Sequence, residues 1–184
     1  RKSDMKACPL EQFSIWLEEA TEAGIPDCNA CSLASVDEES RPVARAVLLK
    51  GMEADCFVFY TNFNSRKAVQ LRNSPWASMH FPWFAMQRQV VVTGKVSLLD
   101  ESTSEDYFRS RPSLSKLGAW ASRQSEDLDS RETLEKSFLE AREKYGEDPP
   151  KPPHWGGLAL EPETIEFWQG GPHRLHDRFL FERS

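Results

Sequence analysis

Between residues 31 and 99, five short stretches at 31–36, 42–50, 56–60, 77–83 and 88–99 are apolar or alternate apolar with polar side chains. Each is cut off by a polar turn such as Asp37-Glu38-Glu39-Ser40. Runs of this length rich in Val, Phe and Leu read as β-strands. Strands packed so closely along the chain predict an antiparallel barrel or sandwich rather than alternating βα units.

The flanks predict helices. Leu10, Phe13, Trp16, Leu17 and Ala20 recur at helical spacing until Gly24-Ile25-Pro26 stops the run, so an amphipathic helix packs on the sheet. Ser102 with Glu105 has the capping-box pattern for a helix through Tyr107 and Phe108, and Asp129 with Glu132 opens a second. That helix carries Leu134, Phe138, Ala141 and Tyr145 on one stripe and ends at Gly146. Residues 148–153 are too proline-rich for helix or central strand and read as a stiff connector. Strands at 157–160, 164–169 and 174–181 complete a β-rich α+β chain, with no internal repeats. With 184 residues, 39% of them hydrophobic, the expectation is a single domain over 1–184. A last strand reaching the final residues predicts that the chain continues beyond Ser184.

The formal net charge of −6 gives nucleic acid or an anionic membrane surface nothing general to hold. No apolar run approaches the roughly 20 residues of a membrane span, and Arg1-Lys2 leads into no apolar signal-peptide core. A soluble, intracellular, cytoplasmic protein is expected. Cys28 and Cys31 have half the spacing of a zinc site, but there is no second pair and the histidines lie far off in sequence. Structural thiols and no metal are expected.

Neither a Gly-x-Gly-x-x-Gly nor a P-loop motif occurs, so a phosphate needs another cradle. Tyr60-Thr61-Asn62-Phe63-Asn64-Ser65-Arg66-Lys67 runs from a strand into a helix with Ser65 as its N-cap and two cations in its first turn. Cations there oppose the helix dipole unless an anion binds; two solvated surface cations would give the same pattern. In the final strand, period-two alternation puts Arg174, His176 and Arg178 on one face, facing either an anionic partner or neighbouring carboxylates. Tyr107, Arg111 and Ser115, at intervals of four, suit a phosphate monoester, or decorate a helix end. Trp168 and Gln169 are placed either to pack on a flat heterocycle or in the core.

Together the strings RAVLLK (45–50), FYTNFNSRK (59–67), RQV (88–90), YFRSRPSLSKLGAW (107–120), SRQS (122–125) and EFWQGGPHRLHDRF (166–179) resemble, in order and spacing, the signature blocks of pyridoxine 5′-phosphate oxidases. The resemblance covers about residues 10–182. It implies an antiparallel split β-barrel with flanking helices, and a homodimer with FMN at the subunit interface. By matching positions, FMN would be held by Arg45, Val47, Lys50, Tyr60, Thr61, Ser65, Arg66, Lys67 and Gln89, with Gln124, Ser125, Trp168 and Arg178 from the second subunit. The substrate phosphate would meet Lys50, Tyr107, Arg111 and Ser115, while Arg174 and His176 embrace the pyridine ring as the catalytic pair. The family's usual Arg-Leu-Ala-Pro ending is lacking, and Glu126 replaces a second serine near the expected FMN phosphate.

The implied reaction converts pyridoxine or pyridoxamine 5′-phosphate to pyridoxal 5′-phosphate, with O2 as acceptor and hydrogen peroxide as product; the amine also releases ammonia. Two other readings stand beside it. One is a split-barrel flavin reductase using NAD(P)H, which would leave Tyr107, Arg111, Arg174 and His176 without employment. The other is a non-catalytic protein that stores FMN or pyridoxal phosphate.

Overall fold

The computed structural model describes residues 5–183; Arg1 and Lys2 lie outside the described residues. In chain order the elements are α1 (Pro9–Glu22), β1 (Ala30–Val36), β2 (Pro42–Leu48), β3 (Gly51–Glu53), β4 (Cys56–Asn62), α2 (Arg66–Asn73), β5 (Trp76–Trp83), β6 (Arg88–Leu98), α3 (Glu101–Ser110), α4 (Ser113–Ala121), α5 (Arg131–Tyr145), β7 (Trp155–Gln169) and β8 (Asp177–Glu182).

The strands form one antiparallel sheet ordered β2-β1-β5-β6-β7-β4-β3, with β8 added to β7. Its two edge strands, β2 and β3, are separated in sequence by Leu49 and Lys50 alone. Consecutive strands at opposite edges force the sheet to curl until those edges meet. Leu49 N–H donates to the Asn29 carbonyl before β1 (2.9 Å), and Lys50 N–H to the Val58 carbonyl on β4 (2.8 Å), so the two residues bridge both sides of the seam. The result is the expected antiparallel split barrel with flanking helices.

Alternation decides the interior. Met79, Phe81 and Trp83 on β5 and Val90 and Val92 on β6 point inward and are essentially inaccessible. Helix α1 closes the barrel as its stripe predicts: Phe13 meets Phe57 and Phe81 edge-on, each at 4.9 Å between ring centroids, and Trp16 meets Phe167 at 5.2 Å. Each fully buried side chain of this size contributes about 1.5–3 kcal/mol, so the α1–barrel contact is a principal part of the core.

Four expectations are corrected. The strands read at 157–160 and 164–169 are one 15-residue strand, β7. Pro162, which interrupted the pattern, sits beside a bulge at Glu163, where β7 passes the Thr93–Gly94 step of β6 and a missing N–H is tolerated. A side chain at Gly94 would collide with the Glu161 carbonyl oxygen. The last strand begins at Asp177 rather than 174. Helix α3 is capped by Asp100, which accepts from Thr103 N–H at 2.8 Å, with Ser102 bonded to that same carboxylate. Helix α5 is capped by Ser130, one residue beyond Asp129, through Thr133 N–H. In both places a neighbouring side chain reaches the free N–H groups better than the expected one. Helix α4 and the short β3 were not expected.

The stripe on α5 faces inward, and Gly146 ends that helix with φ +68°. The proline-rich connector is tied down by polar contacts. Trp120 Nε1 donates to the Pro150 carbonyl (2.7 Å), Lys116 Nζ to Asp148 (2.7 Å), and Lys151 Nζ to Glu101 (2.7 Å). No helix among the described residues is long and apolar enough to cross a membrane.

Candidate active site

A cleft of about 770 Å³ opens between the seam of the barrel and helices α3 and α4. Val47 and Lys50 come from the end of β2, Tyr60 and Thr61 from β4, and Lys67 from α2. Tyr107, Arg111 and Ser115 form the opposite wall, and Gln124 and Trp155 complete it. Nine of the predicted site residues thus line one cavity, although they span residues 47 to 124 of the chain.

Around the start of α2 the cations converge. Ser65 occupies the N-cap position of α2, but its hydroxyl donates back to the Asn62 carbonyl (2.6 Å) instead of capping. The helix N-terminus therefore lacks a side-chain cap and carries Arg66 and Lys67 in its first turn. Lys67 is buried and its Nζ donates to Thr61 Oγ1 (3.0 Å); burial, then the nearby Arg45, hold its pKa below the usual lysine range. Arg45 donates to Ser35 Oγ and Gln70 Oε1, each at 2.6 Å, and is lowered first by burial and then by Arg66. Among the described residues none of these three cations makes an ion pair with a carboxylate. Arg66 and Ser125 face a second cleft of about 520 Å³ between the β1–β2 turn and α2. Glu126 is turned to Arg123, 3.9 Å away.

On the helical side of the cleft Arg111 follows α3, and its Nη1 is buried with no hydrogen-bond partner. The guanidinium lies 4.6 Å over the Trp155 ring and 5.4 Å over Phe108, and burial lowers its pKa. Tyr60 and Tyr107 stack at 3.8 Å, and burial pushes the Tyr60 hydroxyl up to about 12. A desolvated, incompletely bonded guanidinium is costly unless an acceptor arrives. Lys67 and Arg111, neither with a carboxylate partner among the described residues, thus line one cleft, and Arg66 faces a second.

The remaining predicted residues lie elsewhere. Gln89, Trp168 and Arg178 form a single row across β6, β7 and β8, on the outer face of the sheet. Gln89 bonds to His80 (3.2 Å) and Arg178 to Glu166, so a carboxylate does face the last strand. Arg174 and His176 are not on that strand and share no strand face with Arg178. They belong to the turn before it, where His173 and Arg174 take φ of +57° and +63°. Gly171 lets this turn close, since a side chain there would strike the Leu175 carbonyl oxygen. His176 Nδ1 accepts from Gly171 N–H (3.1 Å), which leaves Nε2 to carry the proton of the neutral ring, and the ring lies 4.7 Å from Trp168. Gln124 stands beside Thr61 of its own chain, with Thr61 Oγ1 3.5 Å from its Oε1.

Among the described residues no group of three His, Cys, Asp or Glu is placed to hold a metal. Cys28 and Cys31 are both free, and burial pushes the Cys31 thiol up to about 12.

The family model described as pyridoxamine 5′-phosphate oxidase matches residues 17–145, and that of the pyridoxine 5′-phosphate oxidase C-terminal dimerisation region matches 155–184. The chain belongs to the pyridoxamine 5′-phosphate oxidase family. A Vibrio campbellii protein named pyridoxine/pyridoxamine 5′-phosphate oxidase is 50% identical over all of this chain and 88% of its own length. A Cupriavidus metallidurans protein of the same name is 46% identical over all of this chain and 86% of its own. Among solved structures, PhzG from Burkholderia lata, in complex with tetrahydrophenazine-1-carboxylic acid, superposes with a TM-score of 0.93 at 29% identity, covering 99% of this chain and 90% of that one. An FMN-binding protein from Nostoc punctiforme shares the fold, with a TM-score of 0.77 at 17% identity and 98% and 94% coverage. Membership of the oxidase family supports an oxidoreductase with a flavin cofactor, and the matched dimerisation region supports a homodimer.

Sequence reasoning passed over Trp155 in this oxidase-family cleft. Its only signal was a large aromatic directly after the proline-rich connector, which reads as ordinary core.

Proposed function

We propose that this chain, as one split-barrel domain over residues 1–184, oxidises pyridoxine 5′-phosphate and pyridoxamine 5′-phosphate to pyridoxal 5′-phosphate with FMN and O2. The observation that carries the reading is a set of cations without carboxylate partners among the described residues: Lys67 and Arg111, the latter with its unpartnered Nη1, line one cleft, and Arg45 and Arg66 gather beside Lys67. The group around Lys67 suits the phosphate of FMN and Arg111 that of the substrate.

The residues fit FMN. Arg45, Ser65, Arg66 and Lys67 would hold its phosphate, with Ser125 reaching in from the second cleft. Val47, Lys50, Tyr60, Thr61 and Gln124 would line its length. Gln89, Trp168 and Arg178, facing away from the chain's own cleft, would serve a second copy's site across the dimer. When bound, the flavin accepts two electrons from the substrate and passes them to O2.

The protein supplies position and charge. Lys50, Tyr107, Arg111 and Ser115 anchor the substrate phosphate, and Arg's planar fork suits such an anion. Arg174 and His176 project from a turn held in left-handed backbone geometry, and would bracket the pyridine ring. His176, with its Nδ1 occupied by Gly171 N–H, would present Nε2–H as a donor to the ring's 3-oxygen. No residue is required as a nucleophile.

The likeness to PhzG raises a second reading, oxidation of a reduced tricyclic carboxylic acid. Oxygen consumption by the FMN-loaded protein decides between them. Turnover of pyridoxamine 5′-phosphate with release of pyridoxal 5′-phosphate is expected. Turnover of a dihydroaromatic carboxylate alone would transfer the site to the second reading, and bleaching by NADPH alone would make the chain a reductase.

A further inference from the structure

Trp155 is the point on which the substrate end of the cleft converges. It is the first residue of β7, only 6% exposed, and paired with Asn62 of β4. Its indole carries the Arg111 guanidinium at 4.6 Å. It lies nearly parallel to Tyr60, at 5.3 Å and 9°, and to Tyr107, at 6.2 Å and 4°. Phe108 meets it edge-on at 5.0 Å. Three residues assigned to ligands, from β4, α3 and the α3–α4 junction, are therefore arranged around one ring.

The ring is itself fixed from behind. Lys151 Nζ donates to the Trp155 carbonyl (3.1 Å) and pairs with Glu101 at the start of α3 (2.7 Å), with a side chain only 4% exposed. Trp155 N–H donates to the Pro152 carbonyl (3.1 Å). The backbone bonds fix where the residue sits, and the indole face carries a cation with an unsatisfied nitrogen, which packing alone does not call for.

We propose that Trp155 is a positioning residue of the phosphate site: its indole holds the Arg111 guanidinium against the cleft wall, with Nη1 buried and unpartnered, so that the cation meets the substrate phosphate without first rearranging. A cation over an indole face is attracted by the ring quadrupole, most strongly for Trp and when desolvated. That attraction offsets part of the cost of keeping the charge ready, and pre-organisation of this kind strengthens binding by lowering the ordering cost. The inference rests on the reading of Arg111 as a phosphate ligand.

The test measures pyridoxal 5′-phosphate binding to the FMN-loaded protein by ligand absorbance, and FMN affinity separately by fluorescence quenching, for wild type, Trp155→Leu, Trp155→Phe, Arg111→Met and the Trp155→Leu/Arg111→Met double variant. Trp155→Leu should weaken pyridoxal 5′-phosphate about tenfold, as loss of a desolvated cation–π contact implies. FMN affinity should hold within about twofold, and Trp155→Phe should recover most of the loss because a ring is restored. In the Arg111→Met background, Trp155→Leu should add almost nothing, since coupled residues are not additive. Unphosphorylated pyridoxal should be indifferent to Trp155. Unchanged pyridoxal 5′-phosphate affinity in Trp155→Leu, full additivity in the double variant, or an equal loss of FMN would each overturn the inference. A wild-type protein that binds pyridoxal and its phosphate equally would overturn the reading of Arg111, and the inference with it.

Discussion

The guanidinium of Arg111 lies 4.6 Å over the indole of Trp155 while its Nη1 is buried without a hydrogen-bond partner. An isolated protein rarely keeps such an atom unless something else completes it. The expected consequence is a trade. Arg111→Met should weaken phosphate-bearing ligands roughly 10- to 150-fold, the 1.5–3 kcal/mol typical of hydrogen bonds to charged groups. Without ligand it should melt no lower than wild type, because removing an unpaired buried charge relieves a desolvation cost. Thermal melts with and without pyridoxal 5′-phosphate check both halves; a large drop in the ligand-free melting temperature would make Arg111 structural.

Lys67, proposed to hold the phosphate of FMN, makes the same argument. Its pKa is depressed by burial and by Arg45. A lysine with a lowered folded-state pKa opposes folding while it is charged, and ceases to do so above its unfolded value near about 10.4. Lys67→Met should therefore keep or raise the melting temperature of the flavin-free protein at pH 7. A ligand at about 100 times its Kd adds about 2.7 kcal/mol, or very roughly 5–10 °C for a chain of this size. Wild type should show a shift of that order with FMN, and Lys67→Met a much smaller one at the same concentration.

Arg174 holds φ +63°, a conformation that disfavours side chains other than Gly by roughly 1–2 kcal/mol. Arg174→Ala and Arg174→Gly both remove the guanidinium, but the glycine also removes the strain. Both should retain FMN and lose turnover by about 100-fold, the scale of misplacing a bound substrate by ~1 Å. If Arg174→Gly turns over near the wild-type rate, the side chain has no part in orienting the ring.

Asp100 caps α3 by accepting from Ser102, Thr103 Oγ1 and Thr103 N–H, and these bonds hold its carboxyl well below the usual range. A depressed folded-state pKa stabilises above the unfolded value, near about 3.9, and the stabilisation is lost as pH falls through the folded one. Asp100→Asn should thus melt below wild type at pH 7, with the gap closing on acidification below about pH 4. A gap independent of pH would assign the effect to shape rather than charge.

The barrel was legible because period-two alternation is a local property. Phe81 and Trp83 point inward and His80 outward for a reason visible in the sequence around them. Capping was less legible: Asp100 and Ser102 both suit an N-cap, and only the path of the chain decides which carboxylate or hydroxyl reaches Thr103 N–H. Arg174 and His176 were assigned to the right segment with the wrong local structure. Alternation was continued through a turn whose two left-handed residues, His173 and Arg174, carry no glycine to announce them.

By itself, the sequence determined which residues alternate, where the chain turns, and that two cations, Arg66 and Lys67, stand in the first turn of a helix against its dipole. It also determined the family, because that rests on ordered strings of residues. Tertiary structure alone decided that Lys67 and Arg111, far apart in sequence, line one cleft, and that Trp155 lies beneath Arg111. The physical reason is that these contacts exist only once the curled sheet brings β2 round to β4 and lays α3 and α4 across the seam. Burial, and with it the cost of an unpaired charge, is a property of that closure and not of any local stretch of chain.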